Sequence, residues 1–337
     1  MSTVYGPVPS WRLGRSLGVD VVLPPKKCTF DCIYCQLGKT GIQVSKLEET
    51  RGKLVDAERV ARDLDKVLER LDIETVDVVT FSGTGEPTLN LELGKIAKTV
   101  RERIGDIPLV ILTNSSLFHK KYVRENLDFF DLVVAKLDAG DNATFQAINR
   151  PADSMLTISK IFDSIKMLKQ TINGKIALEV MLLDSANNQI TNVQGKSLKN
   201  LVNKIVQVNP DQVQLEVPYR PPSESFVKIP SLEEVKLLTR ELAKYFNKSQ
   251  LQVYGYQEEY GKDVKWLFHE SLEKEAVELL ERRPSNTTDI SRSLAISIPS
   301  AIKLLKRLVK NGLVTVEARE GKKYYFIRKK PSHQCIQ

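Results

Sequence analysis

The chain has 337 residues, 42% of them apolar and 27% charged, the balance of an ordinary globular protein with length for about two domains. Four cysteines make no disulfide framework in so long a chain, and no stretch nears the ~18 apolar residues of a membrane span. The leader MSTVYGPVPSWRLG has no apolar secretion core, so a soluble cytoplasmic protein with no membrane partner is expected.

From Leu17 to about Asn247, β-branched runs alternate with amphipathic stretches. The spacing predicts six strands, over 17–23, 76–83, 108–114, 132–139, 175–184 and 212–220. Helices are predicted near 57–71, 91–104, 120–127, 153–172, 197–207 and 232–247. Near-continuous apolar runs separated by helices mean parallel strands under a helical layer, in an α/β fold. Periodicity alone leaves open a doubly wound sheet or an incomplete barrel. Residues 1–247 form the expected first domain and 248–271 a linker with one short strand. Residues 272–331 then spell helix (272–283), helix (288–295), helix (299–311), a Gly312 stop and a hairpin turning near Glu320-Gly321, the order of a winged helix-turn-helix.

Three cysteines, Cys28, Cys32 and Cys35 in CTFDCIYC, fall on the loop after the first strand. They offer one centre three thiolates, one short of a closed iron–sulfur or zinc site. Either an iron–sulfur centre keeps an open position, or zinc is completed by Cys335, His119, His269 or His333. Cys335 lies beyond a separate domain on a polar tail, which makes it a poor fourth ligand. SGTGEP (Ser82 to Pro87) closes the second strand, Asn114 with Ser115 and Ser116 the third, Lys136 and Asp138 the fourth, and Glu179 and Met181 the fifth. All converge at the carboxyl edge, where both architectures place their sites.

CxxxCxxC after the first strand of a six-unit β/α domain, with Tyr34 before the last cysteine, resembles the radical S-adenosylmethionine (SAM) superfamily over about 17–247. The resemblance implies a partial (β/α)6 TIM-like barrel in which Cys28, Cys32 and Cys35 hold a [4Fe–4S] cluster and SAM chelates its fourth iron. It implies an oxidoreductase: a low-potential donor of flavodoxin or ferredoxin type reduces the cluster, SAM is cleaved to methionine and a 5′-deoxyadenosyl radical, and that radical abstracts hydrogen. GTGEP is a variant, with Thr84 between the glycines, of a GGEP-like segment that binds the methionyl ammonium, which implicates Gly83, Gly85 and Glu86. Asn114, Lys136 and Asp138 resemble the ribose and carboxylate contacts, and Tyr34 joins this cofactor-binding set. The adenine-side glycine pattern is not evident. The leader YGPVPSWRLGRSLGVD and INRP (Ile148 to Pro151) resemble a little-characterised group related to activating enzymes and wyosine-forming tRNA enzymes. In that leader Trp11 replaces an expected basic residue, and Arg12, Arg15 and Arg150 read as salt-bridge partners or anion ligands.

The net charge of +8 is concentrated at the end: from Leu272 onward 14 Lys and Arg face 7 Asp and Glu, against 36 and 35 before it. On the third helix Ile298, Ala301, Ile302, Leu305, Leu308 and Val309 are expected to face inward. Ser300, Lys303, Lys306, Arg307 and Lys310 face outward, with Arg319, Lys322 and Lys323 on the wing. That basic face suits phosphate contact, with tRNA or another nucleic acid as substrate. Two alternatives stand beside it: an activating or maturation enzyme whose winged helix docks a protein, and a non-enzymatic iron–sulfur transcription sensor. A sensor has no use for GTGEP or for polar residues closing successive strands.

Overall fold

The computed structural model describes residues 1–10, 12–46, 54–186, 189–255, 272–319 and 321–328. Its main sheet has eight strands: β1 (Val4–Ser10), β2 (Gly14–Asp20), β3 (Val78–Ser82), β4 (Leu109–Thr113), β5 (Leu132–Lys136), β6 (Lys175–Met181), β7 (Gln212–Glu216) and β8 (Leu251–Val253). Order in the sheet equals order in the chain. β1 and β2 form an antiparallel pair, and every later neighbour is parallel.

That order separates the two architectures. A doubly wound sheet reverses at a switch point, and none occurs here. Right-handed crossovers in unbroken succession put all the helices on one face: α1 (Ala57–Leu68), α2 (Leu93–Ile104), α3 (Lys121–Leu127), α4 (Asn142–Asn149), α5 (Ile158–Thr171), α6 (Gly195–Val208) and α7 (Leu232–Leu242). Consecutive helices pack on one another, as α1 on α2 and α5 on α6. The sheet therefore curls with its inner face free of these helices, a partial barrel whose first and last strands are not paired with each other among the described residues.

Period-two alternation divides the strands between two cores. Outward residues such as Leu17, Phe81, Ile111, Val133, Leu178 and Leu215 join Leu64, Ile96, Ile165 and Ile205 of the helices in the larger one. Phe81 meets Phe130 edge to face at 4.9 Å. The inward parity gives a smaller cluster of Val110, Val134 and Ala177, the lumen floor. One step further along the same faces, Lys136, Glu179 and Glu216 form a charged layer above that floor.

Among the longer described elements, β1 and α4 lie outside the predicted set. β1 carries Gly6, Pro7 and Pro9, residues that read as turn chemistry but are tolerated on an edge strand. α4 is only eight residues long, started by Asp141, whose side chain accepts from Thr144 N–H. The short strand expected in 248–271 is β8, which extends the sheet beside β7.

The C-terminal unit comprises α8 (Leu272–Arg282), α9 (Thr287–Ser293), α10 (Ile298–Lys310) and the hairpin β9 (Val314–Arg319) and β10 (Lys322–Ile327). Asn286 and Asp289 form a capping box on α9, and Ser297 caps α10. One expectation is corrected: α10 buries Ala301, Leu304, Leu305 and Leu308, while Ile298 and Ile302 are 42% and 38% exposed. Packing against α8 and α9 rotates the buried stripe onto Leu304. The unit sits on the sheet's first edge, where Val8 of β1 joins the cluster of Ala276, Leu279, Ile290 and Leu305. No described helix is long and apolar enough to cross a membrane.

Candidate active site

The loop from Pro24 to Gly41 leaves β2 at its carboxyl end and carries the three cysteines. It is pinned by backbone pairing with the GTGEP segment: Lys27 N–H donates to Thr84 O at 3.0 Å, and Glu86 N–H to Lys27 O at 3.0 Å. The glycines have a local reason. A Cβ on Gly85, whose φ is +143°, would stand 1.6 Å from Lys27 O, and one on Gly83 would crowd Val22 at 2.9 Å. Backbone must approach backbone here, one residue before Cys28.

Glu86 is 1% exposed. Its Oε1 accepts from Thr88 N–H (3.0 Å), Thr88 Oγ1 (2.6 Å) and Thr113 Oγ1 (2.5 Å), and its Oε2 from Asn114 N–H (2.8 Å). Burial pushes its pKa up and these donors pull it back. Oε2 keeps acceptor capacity, and the residue lines the cavity.

The cavity, about 330 Å³, brings together Cys28, Cys32, Cys35, Tyr34, Gly83, Gly85, Glu86, Asn114 and Lys136. Asp138 stands apart. It is 2% exposed and accepts from Tyr34 OH (2.5 Å), Asn149 Nδ2 (2.8 Å) and Met181 N–H (2.9 Å), so it holds Tyr34 from behind. Asn114 Nδ2 reaches Thr29 Oγ1 at 2.8 Å and lies 3.5 Å from Cys28 Sγ. Lys136 pairs with Glu179, lies 3.9 Å from Asp138 and sits over the Tyr34 ring.

Among the described residues, no three His, Cys, Asp or Glu side chains already stand at metal-holding separation. The three cysteines are free thiols on one cavity wall. Burial raises the Cys28 thiol, with Glu86 and Cys32 adding to it, and burial, Cys35 and Asp138 push Cys32 to about 12. Burial and acidic neighbours thus disfavour the thiolate at Cys28 and Cys32, and a nearby cation offsets that. One is built in: Lys26 Nζ donates to Cys35 Sγ at 3.1 Å and to Gly38 O at 2.6 Å. Burial works against the Lys26 charge, but Cys35 outweighs it and the pKa is raised. Thr84 Oγ1 and Ser115 Oγ are buried without partners. Three thiols, a nearby ammonium and an acidic acceptor fit an iron–sulfur cluster and a zwitterionic ligand. Of the zinc alternatives, His119 faces Ser116 O and lines a different cavity. His269, His333 and Cys335 lie outside the described residues, as does Trp11.

The leader arginines form salt bridges. Arg12 spans Glu179 and Glu216, Arg15 pairs with Asp77 at 2.6 Å, and Arg150 with Glu224 at 2.6 Å. Although burial opposes it, Arg12 and Lys136 hold Glu179 well below the usual carboxylate range. Motif reading missed Lys26 and Asn149, whose amide lies 3.5 Å from Cys32 Sγ, although KKC and INRP both displayed them. It also missed Arg220, Arg282 and Arg283 on the cavity wall, the last two from the C-terminal unit. On α10, Lys303, Lys306 and Lys310 are exposed, while Arg307 pairs with Glu273 of α8.

Residues 22–189 match the family model of the radical SAM superfamily, and residues 275–330 that of the sugar-specific transcriptional regulator TrmB. A UPF0026 protein of Methanocaldococcus jannaschii is 30% identical over 96% of this chain and 96% of its own length. A UPF0026 protein of Synechocystis is 35% identical over 65% of this chain and 76% of its own. Streptococcus suis SuiB bound to S-adenosylmethionine superposes with TM-score 0.48 at 17% identity, covering 71% of this chain and 51% of that one.

Proposed function

Because the chain belongs to the UPF0026 family and carries a radical SAM domain, we propose that Cys28, Cys32 and Cys35 hold its iron–sulfur cluster as [4Fe–4S] and that Glu86 receives the ammonium of SAM. When bound, cluster and SAM supply a carbon radical strong enough to take hydrogen from an unactivated C–H bond. Lys26 offsets thiolate charge at Cys35, and the amides of Asn114 and Asn149 are oriented toward Cys28 and Cys32. Asp138 fixes Tyr34, and Thr88, Thr113 and the Asn114 N–H fix Glu86 before any ligand arrives. The observation that carries this reading is the single cavity shared by the three thiols and a pre-oriented buried carboxylate.

A low-potential protein of flavodoxin or ferredoxin type serves as electron donor. The substrate is a nucleic acid, engaged by Lys303, Lys306, Lys310 and, once released from Glu273, Arg307. The TrmB match and the basic C-terminus support this. A protein substrate is the second reading, favoured by the exposed Ile298 and Ile302 beside those lysines. Anaerobic iron–sulfur reconstitution, then dithionite and SAM, tests the chemistry. The expected products are a [4Fe–4S] spectrum and 5′-deoxyadenosine, both lost in Cys32→Ala. Absence of both from the wild type overturns the reading.

A further inference from the structure

Two cavities meet where the C-terminal unit lies against the sheet. The cysteine cavity adjoins a larger one, about 740 Å³, between the mouth of the barrel and the end of α8 with Phe326 and Ile327. Gln36, Leu37, Thr84, Arg282 and Arg283 line both, so they mark the junction.

Three guanidinium groups gather there, and their partners differ. Arg282 is fully engaged: it donates to Asp20 Oδ2 (2.8 Å), to Ser2 O (2.7 Å) and to Glu278 O, and lies over the Tyr5 ring. Arg220 donates to Gln36 Oε1 (3.2 Å) and Asp289 Oδ2 (3.3 Å). The half-buried Arg283 has no side-chain hydrogen bond or ion pair among the described residues. Among the described residues, the carboxylates that pair with these three cations are Asp20, on Arg282, and Asp289, on Arg220. Burial first, then the neighbouring Arg220, disfavours the charge on Arg283. Thr84 is 9% exposed, and its hydroxyl is buried without a partner. This is the residue that separates the glycines of GTGEP, and ammonium binding gives it no task. A half-buried cation with no ion pair and a buried hydroxyl with no partner, at one junction, call for an anion.

We propose that this junction binds a phosphate group carried by the substrate, with Arg283 and Arg220 as its cationic partners and Thr84 Oγ1 as a hydroxyl donor. Phosphate suits the set because two planar guanidiniums present several N–H groups to an anion with at least three acceptor oxygens. An ester group attached to it can enter the cysteine cavity, and the remainder of the substrate occupies the larger one. The inference rests on the nucleic-acid reading only for the bearer of the phosphate. Its test does not depend on radical chemistry.

The test is isothermal titration of the full-length chain with inorganic pyrophosphate and, separately, with a single-stranded RNA of about 12 nucleotides, each with SAM present. Arg283→Ala is expected to weaken pyrophosphate binding by about tenfold or more, Arg283→Lys to retain part of it, and Thr84→Val to weaken it less. Lys303→Ala with Lys306→Ala should weaken RNA alone. Pyrophosphate bound without RNA supports a small phosphorylated substrate, and both bound support a polynucleotide. If Arg283→Ala does not fold by circular dichroism, Arg283→Lys and Thr84→Val carry the comparison. Wild type that binds neither probe, or variants at both positions that match wild type, overturn the proposal. The 5′-deoxyadenosine assay stands or falls separately.

Discussion

Arg282→Ala should loosen the C-terminal unit from the barrel by an amount that grows with pH. Asp20, its partner, is 2% exposed, and burial pushes its carboxyl to about 6 even with Arg282 pulling the other way. Without Arg282 the pKa rises further, and the carboxyl takes a proton instead of standing alone as a charge. Wild type and variant both hold that proton below about pH 6, so the pair adds nothing to the difference there. Above pH 6 the wild-type group ionises and the variant's does not, which costs the variant about 1.4 kcal/mol per pH unit. The hydrogen bond to Ser2 O and the contact with Tyr5 add about 1 kcal/mol each at any pH. The expected losses are therefore about 2 kcal/mol at pH 5, about 3 at pH 7 and about 5 at pH 8. In the wild type the raised Asp20 pKa acts with the same sign: its contribution is complete below the unfolded value of 3.8 and disappears as pH rises through about 6. Urea unfolding followed by circular dichroism at the three pH values measures this. Asp20→Asn should remove the pH dependence of the Arg282 effect. A loss that is constant with pH, or below about 1 kcal/mol throughout, refutes the reasoning.

Gly85→Ala places a methyl group against Lys27 O at a positive φ, for a combined cost of about 3 kcal/mol or more; the thermal midpoint should fall by about 5–10 °C, and an unchanged midpoint means the loop pairing is not as described. Glu86→Gln sets an amide donor against the Asn114 N–H or against the three donors on Oε1. Equilibrium binding of SAM to reconstituted protein should weaken about tenfold or more, and undiminished affinity removes Glu86 from the ammonium role. Replacing Lys303, Lys306 and Lys310 together by alanine should lower the slope of log affinity for RNA against log salt by about 2 to 3. An unchanged slope moves the RNA-binding surface elsewhere.

The six parallel strands were legible because each is an apolar run bounded by turn residues, and the edge gathering Cys28, Glu86, Asn114 and Lys136 followed from where those runs end. β1 was not legible: Gly6, Pro7 and Pro9 conceal a strand that only an edge position permits. Periodicity on α10 named Ala301, Leu305 and Leu308 correctly but put Ile298 and Ile302 in the stripe, where the contact with α8 and α9 selects Leu304. Lys26 stood in plain view, yet its role depends on a loop that folds Cys35 back nine residues onto it. Arg282 and Arg283 were beyond any motif. They reach the cavity because an entire domain packs against the strand formed by residues 4–10, more than 260 positions earlier in the chain.

That packing bears on the order in which the molecule can be assembled. Val8 shares its apolar cluster with residues of α8, α9 and α10, so β1 completes its burial only after helices more than 260 positions later in the chain have been synthesised. The nascent barrel must wait with one flank uncovered, and its mouth gains Arg282 and Arg283 in the same event that covers that flank. A chain interrupted before Leu272 would retain the cysteine loop and lack these arginines. Completion of the reaction chamber is thereby tied to synthesis of α8 and the helices that follow it.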